Sequence, residues 1–280
     1  MFATLLGPLP RPPLPDDAPA EALLDACLAV QSEHGLEPQI DGGWPIQSGD
    51  PVASWRATAA RADGLVKAVL VGPGSGGGPV ATVRRRMLDL VDAGCRWIEI
   101  HEPAATAIGT DSEARDRFAD DHVALTAGLA DVHLSLAIVG GNADTAGIET
   151  ILAGAYASLA LDLIDGPDNW RLAVATPGDR GVIAGALSGR SDGDDGPEVL
   201  LWAARYAASS KGRGIARVGL ATSGSLAGLP WDVAVTKLRR LGEGVRVVAM
   251  PADARPAALD PRAVDVRSAA LGRWEPPSGE

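Results

Sequence analysis

Eight short apolar runs, most of them closed by Gly, Pro, Asp or Asn, recur along the chain, and longer amphipathic stretches separate most of them. The runs are Phe2–Leu6, Pro38–Asp41, Val66–Val71, Trp97–His101, Val132–Val139, Ser158–Asp162, Val182–Leu187 and Val218–Ala221. Helix patterns fall near 20–34, 52–62, 79–93, 112–129, 144–155, 196–210 and 230–241, and the connection around Asn169–Leu172 is too short for a full helix. Strands that alternate with crossovers of this length pair in parallel, and eight units in about 245 residues match a single-domain α/β fold, the (β/α)8 or TIM barrel. A doubly wound open sheet is the alternative. The barrel is expected over residues 1–250, with a Pro-rich tail over 251–280 in which Val264–Trp274 could form a short docked helix; the run Val245–Met250 does not continue the repeat. Pro79 and Pro230 read as helix openers and Gly94 as a helix stop.

Composition narrows the functional classes. The chain of 280 residues carries a formal charge of −11 and is 46% hydrophobic. Its 34 glycines and 21 prolines make up roughly a fifth of it, below the share that marks low-complexity chains. An acidic chain gains nothing from counterion release on a polyanion, so nucleic acid is not an expected partner. Cys27 and Cys95 are too few for a disulfide framework or a cysteine zinc site, which fits a reducing, cytoplasmic setting. The first residues lack a basic region and run into a proline cluster, and no run of about 20 apolar residues follows, so neither a leader nor a membrane span is expected.

In a barrel, function gathers on the loops after the strands. Those ends present Asp41, His101, Glu102, Asn142, Asp162, Arg190 and Ser223. His101 beside Glu102 has the composition of an acid–base pair, since imidazole titrates near neutrality and a carboxylate holds its charged form. Adjacent strand residues point to opposite faces, so the pair shares a pocket only if the strand has already ended. Asp41 and Asp162 could bind a ligand or cap the following loop. Trp44 could cover a flat ligand. Gly72–Pro79 lies between strand and helix but lacks the Lys of a nucleotide loop and reads as a plain connection. Asp192–Gly196 lacks the closing Glu of a calcium loop and reads as solvated. His34 and His122 lie in helix patterns and read as structural.

The ordered series LLGPLPRP, QIDGGW, VKAVLVGPGS, AGCRWIEIHEPA, IVGGN and TSGSL, spread over residues 1–245, resembles the C-terminal catalytic barrel of cobalamin-independent methionine synthase. That resemblance implies a methyltransferase, and in the family a zinc ion held by His, Cys, Glu and Cys turns a thiol into a nucleophilic thiolate. The matching positions here are Ala137, Val139, Asp162 and Ser223, and a gapped register brings His133 and Ser135 to the first two. The amino-acid pocket is replaced as well, by Pro8, Gly43 and His101, and the family's proton-donating His matches Arg190. The expectation is a diverged member of this family, without zinc or another cofactor and not making methionine. It would bind a small molecule at the strand ends, with a folate-type methyl donor as the ligand the family implies. His101 and Glu102 would be catalytic, and Asp41, Trp44, Asn142, Asp162, Arg190 and Ser223 would bind substrate. A metal held by His101, His133 and Asp162 stays open. From another class, the chain could be a catalytically silent barrel serving as a partner subunit or regulatory module, with a protein partner or a homo-oligomer as the expected association.

Overall fold

The computed structural model describes residues 1–46, 49–193, 196–251 and 254. Seven strands, β1 (Phe2–Thr4), β2 (Ala68–Val71), β3 (Trp97–His101), β4 (His133–Ile138), β5 (Ser158–Asp162), β6 (Gly181–Leu187) and β7 (Val218–Thr222), form one parallel sheet in the order β1-β7-β6-β5-β4-β3-β2. From β2 to β7 chain neighbours are sheet neighbours, and β1 pairs with β7. A doubly wound sheet would instead reverse its order at a switch point. Helices α1 (Ala20–Glu33), α2 (Pro51–Ala59), α3 (Val80–Asp92), α4 (Ser112–Thr126), α5 (Ile148–Ile151), α6 (Trp170–Ala175), α7 (Pro197–Ser209) and α8 (Trp231–Ala249) provide the connections.

The run expected as a strand at Pro38–Asp41 makes a single bridge, Gln39 with Val66, and is cut short by the turn at Gly42 and Gly43, both at positive φ. It nonetheless bonds on both sides. Glu37 N–H donates to Ala3 O (2.8 Å), Gln39 N–H to Leu65 O (2.8 Å), and Lys67 N–H to Gln39 O (3.0 Å). The Gln31 side chain braces Ile40 through both its N–H and its carbonyl, and the Thr4 hydroxyl donates to Pro38 O.

Alternation along the strands sorts the core into two layers. Leu5, Ile98, Ile100, Leu134, Leu136 and Val182 join the helices' apolar faces in one continuous cluster. On the concave side Leu6, Trp97, Ala137, Ala160, Ile183 and Ala221 form a second cluster to which no helix contributes.

Two helix expectations change. The pattern at 144–155 yields only a 3-10 turn, Asp144–Ala146, and the four residues of α5, because Gly147 at φ +96° interrupts it. The run Val245–Met250 is not separate, since α8 continues through Ala249 and stops before Pro251. Gly242 stays helical there because α8 presses on the end of α1; a Cβ at that position would lie 2.1 Å from His34 O. Gly94 at φ +100° ends α3 as the sequence indicates, and Pro79 and Pro230 sit just ahead of α3 and α8. Cys27 and Cys95 are buried free thiols. Among the described residues no helix is long and apolar enough to cross a membrane. The 252–280 part of the expected tail, including Val264–Trp274, lies outside the described residues apart from Ala254, as do Asp194 and Asp195 of the acidic loop.

Candidate functional site

Inside the curl of the sheet a polar chain runs among small side chains. Trp97, Glu99 and His101 alternate to one face of β3, and the register places Ser135 beside Glu99 and Val71 beside His101. Lys67, just ahead of β2, donates its ammonium to Glu99 Oε1 (2.8 Å) and to Leu5 O (2.8 Å), with both charged side chains fully buried. Glu99 also meets His101 Nε2 at Oε1 (2.9 Å) and accepts from the Ser135 hydroxyl at Oε2 (3.1 Å). Burial alone would raise the Glu99 pKa, yet the charge of Lys67 and the contact with His101 bring it down to about 2. Burial pulls Lys67 below its usual range in spite of Glu99. His101, with 14% of its side chain exposed, is the one member of this group open to solvent. Val69 and Val71, at 41% and 49% exposure, flank it on the same face.

At the opposite end of the strands the chain continues. The Trp97 indole donates to Ser135 Oγ (3.0 Å), and His133 stacks on Trp97 with centroids 3.7 Å apart and bonds Ser158 Oγ through Nε2. Burial lowers the His133 pKa to about 4. His133 pairs in register with Trp97, four residues before His101. Along the sheet their backbones are therefore about 13 Å apart.

The strand-end residues fall into separate environments. Asp162, 1% exposed, spends its carboxylate on the backbone N–H groups of Gly140, Ile164 and Asp165, and burial raises its pKa against those bonds. Asn142 bridges to the backbone and carboxylate of Asp168, and the buried Asn169 ties Ala143 and Gly141 to Asp162 O. Ser223 Oγ accepts from Gly189 N–H (3.0 Å). Arg190 pairs with Asp165 (3.0 Å) while 72% of its side chain stays in solvent. Asp41 closes a turn on Gly43 N–H (2.8 Å), and burial raises its pKa. The Trp44 ring lies under the Arg11 guanidinium at 5.6 Å, and its indole N–H is buried without a partner. Glu102, one residue past His101, points away from it. Its carboxylate accepts from Gly74 N–H and the Ser75 hydroxyl, both at 2.9 Å, so the glycine-rich loop holds an anion supplied by the chain itself.

Lys67 and Glu99 were missed in the sequence because both sit inside apolar runs. Alternation of polar with apolar residues, as in Ile98-Glu99-Ile100-His101, is the signal that marks Glu99; Lys67, followed by Ala68-Val69-Leu70-Val71, has none.

The donor set does not fit the zinc ion that the family resemblance implies. Ala137 is fully buried among apolar side chains, Val139 has no donor, Asp162 is engaged by three amides and Ser223 by a fourth. Among the described residues no group of three or more His, Cys, Asp or Glu side chains stands close enough to share a metal ion.

No family model matches the sequence, and no curated protein matches it. Among solved structures the chain is similar to a B12-independent methionine synthase from Shewanella sp. W3-18-1, described in complex with selenomethionine, with a TM-score of 0.75 and 14% identity over 89% of this chain and 98% of that one. It is also similar to a putative vitamin-B12-independent methionine synthase from Listeria monocytogenes, with a TM-score of 0.67 and 13% identity over 88% of this chain and 98% of that one. At these identities the likeness is one of fold: α/β, with a curled parallel sheet of the TIM-barrel kind.

Proposed function

We propose that the chain is a closed (β/α)8 barrel, with residues 37–40 as its second strand, and that it binds a small molecule at the carboxyl ends of the strands, where His101 acts as the general acid–base. The observation that carries this reading is the Lys67–Glu99–His101 group. A solvent-reachable imidazole is held by a carboxylate that is itself charge-paired and walled off from water. An oriented imidazole of this kind takes or gives a proton at Nδ1 while Nε2 stays on Glu99. Val69 and Val71 offer the ligand an apolar wall. The bonds from residues 37–40 to Ala3, Leu65 and Lys67 support closure.

In this reading the chain is a diverged relative of the cobalamin-independent methionine synthases that neither binds zinc nor makes methionine. Calorimetric titration with a folate-type methyl donor tests it. Saturable heat at millimolar donor or below that disappears in His101→Ala supports the reading, and its absence in the wild type removes the donor from consideration.

A second reading, a silent barrel serving as a partner subunit, is favoured by Asp162, Asn142 and Ser223, whose polar atoms are bonded within the chain. It predicts a stable complex in pull-down that survives substitution of His101 and Glu102.

A further inference from the structure

Glu102 and His122 line a second cavity of about 230 Å3, on the side of β3 away from His101 and between the turn Pro103–Ala107 and helix α4. Ala104, Ala105, Ile108, Ala114 and Phe118 make its walls mainly apolar, and the charged side chains of Arg117 and Asp121 also line it. A cavity of about 150 Å3 already takes a benzene-sized molecule, so this one has room for a ring with a substituent.

Of its polar lining, Glu102 and His122 are the two buried groups, and both have bonding capacity left over. Each Glu102 oxygen receives one donor, from Gly74 N–H or the Ser75 hydroxyl, where a carboxylate oxygen can take two. His122, 1% exposed, is fixed through Nδ1 by the Tyr156 hydroxyl at 2.6 Å and by stacking on Phe118 at 4.0 Å. Its Nε2 stops 3.9 Å from Glu102 Oε1, too far for a hydrogen bond. An oxygen placed beside that gap can sit about 2.8 Å from both atoms. A hydroxyl both donates and accepts, so it satisfies the carboxylate and the imidazole together, whichever tautomer the ring adopts. Burial keeps the ring neutral, with a pKa of about 4, and raises that of Glu102.

We propose that this cavity is a binding site for a small, mainly apolar molecule with one hydroxyl group, a phenol or compact alcohol, whose oxygen bridges His122 Nε2 and the Glu102 carboxylate. The site is separate from the one around His101 and does not depend on it.

Phenol and toluene, two rings of similar size of which one has the hydroxyl, are titrated into the full chain by calorimetry. The expected result is phenol binding at least tenfold tighter than toluene, with that preference gone in the double variant His122→Phe, Tyr156→Phe. Removing both hydrogen-bonding partners together leaves neither one stranded, so the double variant keeps the fold. Ala114→Met, which fills the cavity from α4 without touching a polar group, should abolish binding of both compounds. Equal affinities, no binding of phenol up to about 10 mM, a preference that survives the double variant, or binding lost on His101→Ala would each overturn the proposal.

Discussion

Lys67 Nζ and Glu99 Oε1 stand 2.8 Å apart with both side chains fully buried, an ion pair enclosed by the sheet. Removing one member of such a pair strands the other charge, which costs about 3–5 kcal/mol, whereas removing both with apolar residues of similar volume costs far less. Glu99→Leu and Lys67→Met should each lower stability by about that amount, and the double variant by clearly less than their sum. Urea unfolding of the four proteins measures the coupling.

Acid should weaken the fold in two stages. His122 and His133 are held near pKa 4, below the ordinary histidine value of 6.5, so the folded state resists the proton that the unfolded chain accepts. Stability is then complete above about pH 6.5 and declines as pH falls toward 4, by up to about 3 kcal/mol for each ring. Glu99, depressed to about 2, adds a further loss as pH falls below the ordinary carboxylate range. The carboxyl groups of Asp41, Glu102 and Asp162, whose pKa values burial raises, gain stability in acid and work against this loss. Urea midpoints should therefore hold level above about pH 6.5 and fall from there to about pH 5; a flat profile over that range would contradict the histidine assignment.

Arg213 should be among the most sensitive positions outside the sheet. Its guanidinium is 1% exposed and donates to the carbonyls of Arg180, Ala207, Ala173 and Thr176, gathering the ends of α6 and α7 and the start of β6. Arg213→Met leaves those carbonyls without a partner and should cost about 3 kcal/mol or more, read as a lower thermal midpoint.

His101→Ala should separate ligand binding from folding. The imidazole is partly exposed, so its loss should change stability by about 1 kcal/mol or less. Affinity for a folate-type donor should drop at least tenfold, as followed by calorimetry. Equal affinity in the variant would remove His101 from the site.

Much of the scaffold is legible in the sequence because strands and helices differ in period. The bounds of β3 and β5 agree with the runs read at Trp97–His101 and Ser158–Asp162. Local signals failed where long-range packing decides. Gly242 looks like a helix breaker but lies within α8, because its bareness lets α8 rest on His34. The pattern at 144–155 carries helical residues that one glycine turn divides. In the site, His101 is visible as a titratable group at a strand end. Its partners are hidden in apolar runs, because the distance from Lys67 to Glu99 depends on how β2 and β3 pair.

Between β1 and β2 the sheet has almost no ladder of its own, only the bonds of residues 37–40, and side chains make up the difference. Thr4, Gln31 and Lys67 stitch that gap: Lys67 reaches past it to Leu5 O, while Gln31 and Thr4 hold its two ends. Main-chain ladders lose strength gradually from their ends, but a join made of three side chains gives way when one is removed. Amide exchange should accordingly be fastest at Gln39 and Lys67 within the sheet, and opening of the whole molecule should begin there.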